Sequence, residues 1–408
     1  MREWIPCNIL HKTILLPVAK EQEGLSAADQ HLLDWLHGGD FLYNVMLMFR
    51  KNKKVAVAMS GGVDSSVAAL LCMKRYRDVA GFFVRGYNVD GCQDKDVEDA
   101  RAVAQQLGIP FYVLDLEKEY KERVVEYMLE GYRKGITPNP DVVCNSQIKF
   151  GLLYDHVRAM GFDYVATGHY ARLKREIPRY NHQDTIGVYE GRDENKDQSY
   201  FLWQVPRERF EHILFPLGKL KKDKVRAIAK RAGLVVADKK DSQGVCFLGK
   251  FDFKEFLQQY IPSQKGEIVD VNGVVVGEHD GVWFYTLGQR HGFVNTAGVP
   301  FFVVKKDAER NRLVVAYEGD EALLSDTVTL TNLNFLDEAT RKAFESGNAV
   351  EVFSRLRYRA PLEKAVLQKN EAGVVLVFDE KSQLFPAAGQ SAVFYNKKGR
   401  MLGGGVIR

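Results

Sequence analysis

The stretch Met59-Ser60-Gly61-Gly62-Val63-Asp64-Ser65-Ser66 puts hydroxyls, two adjacent glycines and one carboxylate into eight residues. Glycines accept left-handed backbone angles and let main chain approach a ligand closely. Hydroxyls and free backbone N–H groups at the start of a helix bind phosphate, helped by the helix dipole. Asp64 could cap such a helix or hold a magnesium ion. The stretch lacks the G-x-x-x-x-G-K-[ST] order of a Walker A loop, with its phosphate-binding Lys, and that order occurs nowhere in the chain. It is not G-x-G-x-x-G either, so a dinucleotide fingerprint is not supported. The bland alternative is a Gly-Gly turn capped by Asp or Ser.

Two cysteines stand in settings that suit thiol chemistry. In Pro138-Asn139-Pro140-Asp141-Val142-Val143-Cys144-Asn145 the two prolines predict an extended segment, with Cys144 just ahead of a helix. A thiol at a helix N-terminus ionises more readily, and the thiolate is the nucleophile. Asp141 opposes that by charge, but it could act as a general base or orient a hydrogen-bond donor. A buried structural Cys beside a capping Asp fits the same stretch equally well. In Asp241-Ser242-Gln243-Gly244-Val245-Cys246-Phe247-Leu248, the apolar neighbours make Cys246 a small core hydrophobe, whereas the polar run before it reads as a loop. None of the five cysteines (7, 72, 92, 144 and 246) forms a C-x-x-C pair. Neither a zinc ribbon nor a disulfide framework is indicated, and a reducing cytoplasm is the natural compartment.

These groups need elements to hold them. Lys54 to Met59 reads as a buried strand and Val67 to Met73 as a helix, with the hydroxyl-rich loop between. Further strands are predicted at 79–87, 111–116 and 162–167, and helices at 96–107, 117–134 and 148–160. Such alternation means a doubly wound parallel sheet with helices on both faces and ligands outside the carboxyl ends of the strands. Residues 219–240 hold nine basic residues against two acidic ones. Val225, Ile228, Ala229 and Ala232 fall at i, i+3, i+4 and i+7, a buried face with the bases opposite. A solvated face is the ordinary reading of such a helix, and a nucleic-acid contact the sharper one. Beyond 265 the pattern turns all-β, with strands at 267–271, 274–276, 301–305, 312–317, 350–357, 374–378 and 392–396, as in a small barrel or sandwich. Arg355, Arg357 and Arg359 alternate with Leu356 and Tyr358, which would put all three on one strand face, either phosphate-contacting or merely exposed.

At 408 residues the chain has room for two or three domains, each with its own core. A composition 46% hydrophobic and 27% charged is that of a soluble globular protein, and no apolar run approaches the roughly 18 residues of a membrane span. The net charge of +4 is mild, so any nucleic-acid surface must be local. Residues 1–50 read as an accessory extension or a start-site artefact, with a short helix over 26–36 and Met46 or Met48 as alternative starts. They lack the pattern of a signal or transit peptide.

As a string, Ser60-Gly61-Gly62-Val63-Asp64-Ser65 resembles the loop of enzymes that cleave ATP to AMP and pyrophosphate. Taken with Asn139-Pro140-Asp141-Val142-Val143-Cys144-Asn145, Thr167-Gly168-His169-Tyr170-Ala171, Lys196-Asp197-Gln198, Gly244-Val245-Cys246-Phe247, Arg357-Tyr358 and Gly389-Gln390-Ser391, it resembles one family closely: the bacterial-type tRNA-specific 2-thiouridylases, which place sulfur at C2 of the wobble uridine. The resemblance runs from about Lys53 to the C-terminus. The loop motif is shared by many adenylating enzymes, while the two cysteine motifs in this order are the specific ones. Ala58 stands where the family usually has Gly, and Val84 where a Met often lines the adenine site.

The resemblance implies an N-terminal ATP-binding catalytic domain over 51–215, to which 241–258 returns. It also implies a central domain over 216–320, interrupted by that return, and a C-terminal tRNA-binding β-barrel over 321–408. ATP, with magnesium, would bind at Ala58, Met59, Ser60, Gly61, Gly62, Val63, Asp64, Ser65, Val84 and Gly168. The uridine C2 oxygen would be adenylated. Cys246 would carry sulfur as a persulfide received from a cysteine desulfurase or a sulfur-relay protein, and its terminal sulfur would attack C2. Cys144 would then attack the persulfide, releasing sulfur and leaving a Cys144–Cys246 disulfide to be reduced. Asp141 would be the acid–base group. Asn139, Pro140, Asp141, His169, Lys196, Asp197, Gln198, Arg357, Tyr358 and Gln390 would contact tRNA, with lysine, glutamate and glutamine acceptors expected. The basic 219–240 stretch and the β-barrel would grip it. Thiolases with an iron–sulfur cluster need C-x-x-C pairs, and asparagine synthetases an N-terminal nucleophilic Cys; neither is present. Two alternatives remain: a non-catalytic tRNA- or nucleotide-binding module, which loss of Cys144 or Cys246 would signal although both are present, and a small-molecule ligase of the argininosuccinate or NAD synthetase kind, which would need no pair of spaced thiols.

Overall fold

The computed structural model describes residues 4–9, 12–17, 50–87, 91–176, 185–241, 253–290, 294–295, 301–371, 373–382 and 386–408. The chain divides into two compact units, Met1–Lys51 and Asn52–Arg408. In the first, β1 (Trp4–Ile9) pairs antiparallel with β2 (Lys12–Pro17). The helix expected over 26–36 lies outside the described residues.

The second unit opens on β3 (Lys51–Ala58), whose polar start is exposed and whose end is buried. Val55 and Val57 belong to one apolar cluster and Ala56 to another, the period-two alternation of a strand covered on both faces. After the loop come α1 (Val63–Arg75), β4 (Tyr76–Arg85), α2 (Cys92–Leu107) and β5 (Phe111–Asp115). The next helix, α3, runs through Glu117–Tyr120, a π-helical turn at Lys121–Val125, and Glu126–Arg133. Helix α4 runs through Pro140–Val143, a π-helical stretch at Cys144–Leu153, and Tyr154–Ala159. Strand β6 (Tyr164–Ala166), the hairpin β7 (Ala171–Glu176) and β8 (Thr185–Glu190), and the short β9 (Ile213–Leu214) follow.

The main sheet has the order β5-β4-β3-β6-β9. The chain moves outward from β3 through β4 to β5, then returns to the other side of β3 as β6. The order therefore reverses between β3 and β6, the place where an open α/β sheet leaves a crevice at its carboxyl ends. Residues of α1, α2 and α5 (Lys222–Arg231) cover one face. Residues of α3, α4 and α6 (Phe253–Gln258) cover the other. Each fully buried Val or Phe in these layers contributes about 1.5–3 kcal/mol.

A five-stranded sheet of order β12-β11-β10-β14-β13 follows, built from β10 (Gly266–Asp270), β11 (Val275–His279), β12 (Val294–Asn295), β13 (Phe301–Asp307) and β14 (Arg312–Tyr317). The remaining elements are β15 (Ser325–Phe335), α7 (Glu338–Glu345), β16 (Val350–Arg355), β17 (Glu363–Asn370), β18 (Gly373–Ser382), β19 (Ser391–Tyr395) and β20 (Met401–Ile407). The six strands close into a barrel, so the all-β reading resolves to a barrel rather than a sandwich. An apolar cluster of Val142 and Phe150 from α4, Trp203, and Val393, Tyr395 and Met401 from the barrel joins the barrel to the α/β layer.

The expected arginine row does not form. Strand β16 ends at Arg355, and Arg359 takes a left-handed angle of φ 65°, so the chain turns and the period-two alternation is lost. Arg355 instead points inward, with its guanidinium 3.0 Å from Glu190 and 3.4 Å from Asp197.

Candidate active site

The loop between β3 and α1 emerges at the sheet's reversal point. Gly61 has φ 69°, and a Cβ there would lie 2.3 Å from the Asp96 carbonyl oxygen, so both its angle and its space require glycine. Helix α1 starts from Gly62 with no side-chain cap, which leaves its first N–H groups for a ligand. Ser65 Oγ accepts from the Ser60 amide at 3.1 Å and lies 3.3 Å from Ser60 Oγ, which ties the loop's two ends together. Ser60 is exposed while Met59 and Gly61 are buried. Gly168, just past β6, packs on the loop from the other side: a Cβ there would lie 2.9 Å from both the Asp64 carbonyl carbon and the Ser65 amide nitrogen.

Asp64 is heavily engaged. Its Oδ1 accepts from the Tyr170 hydroxyl at 2.7 Å, and Lys222 Nζ donates to both carboxylate oxygens at 2.8 Å. Burial and then the Asp64 charge push the Tyr170 phenol well above its ordinary value. Lys222 Nζ also lies 2.7 Å from Asp241, which takes Lys196 at 2.7 Å and Arg226 at 2.6 Å. Burial works against ionising Asp241, but hydrogen bonds from Lys196 and Lys222 outweigh it and hold its pKa at about 2. Lys239 donates to the Gly61 carbonyl at 3.1 Å and to Asp96 at 2.7 Å, and also bonds Asp99. Bases of the 219–240 stretch that were expected to face solvent or RNA thus turn inward onto the loop. Sequence reasoning passed over Lys222, although a signal was present. It precedes Val225 by three residues and Ala229 by seven, so it continues the buried stripe, and a lysine there needs buried partners.

The second candidate group sits on α4. Asn139 caps the helix, its Oδ1 accepting from the Val142 amide at 3.4 Å, and Pro140 occupies the first turn. Cys144 therefore lies inside the helix rather than ahead of it, and it is fully buried. It belongs to an apolar cluster that includes Val84 and against which Ala58 packs, so the thiol and two of the residues expected to line a nucleotide pocket share one sheet face. Asp141 is partly exposed. Val142 and Phe150 face the barrel junction instead. There a cavity of about 360 Å³ is lined by Asn139, Val142, Val143, Trp203, Asn332 and Arg408 among others. Neither Asp141 nor Cys144 lines it, which separates it from the thiol's surroundings. Cys246 and Gly244 lie outside the described residues. Among those described, no group of three or more His, Cys, Asp or Glu side chains could hold a metal ion.

The remaining candidates fall into two sets. Gln390 Nε2 donates to the carbonyls of Thr137 and Pro138 at 3.0 and 3.1 Å, fixing the turn that leads into Asn139 and Pro140. Tyr358 packs on Phe201 with ring centroids 4.5 Å apart, and Arg357 donates to the Leu287 carbonyl at 2.6 Å. These barrel residues gather around the start of α4. Lys196, Asp197 and Gln198 serve the other end of the site. Lys196 pairs with Asp241, Asp197 is buried against Arg355 and accepts from the Gly191 amide at 2.7 Å, and Gln198 accepts from the Tyr170 amide at 3.1 Å.

His169 is buried, with Nδ1 2.7 Å from the Thr167 hydroxyl and its ring beside Phe150 and Phe215. Burial, followed by the Lys149 charge, holds its pKa well below the ordinary imidazole value. As pH falls, the unfolded chain therefore takes up this proton before the folded one does. Stability is unaffected above about pH 6.5 and is lost below it, by up to about 1.4 kcal/mol per pH unit from this residue. Urea midpoints between pH 7.5 and 5.5 should show the slope, and a His169→Gln protein should lack that part of it; identical slopes would refute the assignment.

The fold and loop define an α/β nucleotide-binding domain carrying an all-β second half. Family models match in that order: a tRNA methyl transferase HUP domain over residues 53–250, a tRNA methyl transferase PRC-barrel domain over 254–317 and an aminomethyltransferase beta-barrel domain over 325–407. The chain is 44% identical over 365 residues to the tRNA-specific 2-thiouridylase MnmA of Bacillus licheniformis, covering 88% of this chain and 95% of that protein. It is 42% identical to the proteins of the same name from Bacillus subtilis, over 88% of this chain and 95% of that one, and from Streptococcus mutans, over 87% and 95%. It belongs to the tRNA-specific 2-thiouridylase family.

Proposed function

We propose that the protein is an ATP-dependent sulfurtransferase that converts the C2 carbonyl of the tRNA wobble uridine to a thiocarbonyl. The observation that supports this is the uncapped Ser60–Ser65 loop at the sheet's reversal point, together with a buried Cys144 that shares an apolar cluster with Val84 and Ala58. The loop would hold ATP, with magnesium reaching Asp64, and Val84 and Gly168 would line the nucleotide pocket. The uridine C2 oxygen attacks the α-phosphorus, pyrophosphate leaves, and the oxygen becomes part of an AMP leaving group. A persulfide on Cys246, loaded by a cysteine desulfurase or relay protein, attacks C2 with its terminal sulfur and expels AMP. Cys144 then attacks the Cys246 sulfur, leaving sulfur on the uridine and a Cys144–Cys246 disulfide that a thiol reductant returns to two thiols. Asp141 would move or orient the proton. Asn139, Pro140 and Asp141 would border a uridine taken out of its stack, and Arg357, Tyr358 and Gln390 would contact the tRNA. The barrel would supply much of the RNA surface, in a cytoplasmic protein; no described helix is long and apolar enough to cross a membrane.

The test is pyrophosphate release by the purified protein with ATP, with or without tRNA, in the presence of a cysteine desulfurase and cysteine as the source of persulfide sulfur, together with nucleoside analysis of the product. Release that requires tRNA, with 2-thiouridine formed, is expected. Release driven by a free amino acid without RNA would support a small-molecule ligase instead, and a methylated nucleoside would overturn sulfur transfer. The RNA grip should rest on phosphate contacts, so log Kd should rise linearly with log salt, with a slope of about 0.7–0.9 per phosphate neutralised. A flat profile in filter binding would remove the basic surface from the account.

A further inference from the structure

The loop that would receive a triphosphate contains one carboxylate and no cation between Met59 and Ser66. A P-loop carries its own lysine; this one does not. Phosphates seated on the N-terminus of α1 would meet Asp64 in the helix's first turn, a repulsion that some group must offset. Among the described residues, two lysines from outside the loop touch it. Lys239 is directed at the Gly61 carbonyl and held by Asp96 and Asp99 on that side. Lys222 reaches the loop's only carboxylate, bonding both of its oxygens at 2.8 Å.

The setting of Lys222 is that of a placed charge. Its backbone amide, at the start of α5, donates to buried Asp193 at 2.7 Å, which fixes the main chain from which the side chain extends. The side chain is 11% exposed, and its ammonium lies between Asp64 and Asp241. Asp241 also receives Lys196 and Arg226, so it remains compensated if Lys222 moves off it. An ammonium shared between one carboxylate at the loop and one with two other cations can turn toward a new anion without leaving an unpaired charge on Asp241.

We propose that Lys222 is the positioning residue for the pyrophosphate half of the nucleotide. It neutralises Asp64 while the loop is empty and supplies the missing positive charge to the β- and γ-phosphates when the triphosphate is bound, with Asp64 then free for the accompanying cation. Lys222 thus separates ATP from AMP: the pocket binds the nucleoside, and the loop's N–H groups together with this side chain from α5 bind the pyrophosphate half. This deepens the reading of residues 59–66 as the ATP site and rests on it.

Isothermal titration with AMP and with α,β-methylene-ATP, at fixed magnesium, tests both levels. A Lys222→Met protein should bind the triphosphate about 10- to 100-fold more weakly, the loss of one charge-assisted contact, and bind AMP as the parent does. Lys222→Gln, which keeps hydrogen bonding without charge, should show the same selective loss, and Lys222→Arg should restore triphosphate binding in large part. If Lys222→Met does not fold, the contrast between the Gln and Arg proteins decides. Equal losses for both nucleotides would reduce Lys222 to a structural residue, and no loss for either would remove it from the site. If Gly61→Ala leaves triphosphate binding intact, the loop itself is not the site; a loss there with an unselective Lys222→Met rejects the lysine's role alone.

Discussion

Gly61→Ala is expected to cost the protein at least about 100-fold in ATP affinity while its β-barrel stays folded. The left-handed angle at Gly61 alone carries a penalty of roughly 1–2 kcal/mol for any other residue. The larger effect is steric. The new Cβ would meet the Asp96 carbonyl at 2.3 Å, and that oxygen belongs to the backbone of α2, not to a side chain that can swing away. The loop must therefore shift, and losing about 2.8 kcal/mol of phosphate contacts through that shift is a 100-fold weaker Kd. Gly108 supplies the control, with φ 65° and open space around its missing Cβ. Gly108→Ala should cost stability by the angle alone and leave nucleotide binding unchanged. If the two substitutions weaken ATP equally in equilibrium dialysis, steric fixation of the loop is the wrong explanation.

The second large effect separates the two thiols. Cys246→Ser should abolish 2-thiouridine formation, by at least about 1,000-fold, while ATP and tRNA binding persist, because a hydroxyl cannot carry sulfane sulfur. Cys144→Ala should stop the reaction one step later. The uridine C2 would then remain joined through a disulfide to Cys246, giving an RNA–protein adduct that an added thiol releases as 2-thiouridine. Alanine is preferable to serine at 144 because it removes the nucleophile outright, whereas serine would leave a hydroxyl in its place. Gel shifts with and without reductant read the adduct directly. Thiolation near the parent level in the Cys246→Ser protein would defeat the persulfide route, and a thiol-resistant adduct would misplace Cys144.

The phosphate loop was legible because its signals are local: a Val-rich strand, two glycines and a helix start lie within two dozen residues. The α4 helix was half legible. Its two prolines argue for extended chain, but Pro140 follows the Asn139 cap and fills the first turn, where its missing N–H costs nothing. Cys144 consequently enters the helix and the core. The ion pairs of Lys222 with Asp64 and Asp241 were not legible as pairs, since 158 residues separate the first two partners. The barrel strands β15, β17 and β20 escaped for a different reason. Met401-Leu402-Gly403-Gly404-Gly405-Val406-Ile407 holds three consecutive glycines, which weaken a strand signal, yet a Cβ at Gly404 would strike the Trp203 ring at 2.7 Å. Gly404 lets the strand lie against the indole, while Gly403 and Gly405 make room for the Asn334 carbonyl and the Leu333 side chain of β15. Cys246, in one of the two motifs that specify the resemblance, lies outside the described residues.

Strand β20 also has a consequence for how the molecule assembles and comes apart. It pairs with both β15 and β19. It gives Leu402 and Ile407 to the barrel interior and Met401 to the junction with α4 and Trp203. The same seven residues therefore complete two cores at once. Contacts this distant in sequence form late and slowly, after the loop-closure entropy of the whole barrel has been overcome. The barrel and the α/β layer should then melt in a single cooperative transition. A peptide-level hydrogen-exchange experiment would see β20 and α4 open together, at the same denaturant concentration, rather than as two independent folding units.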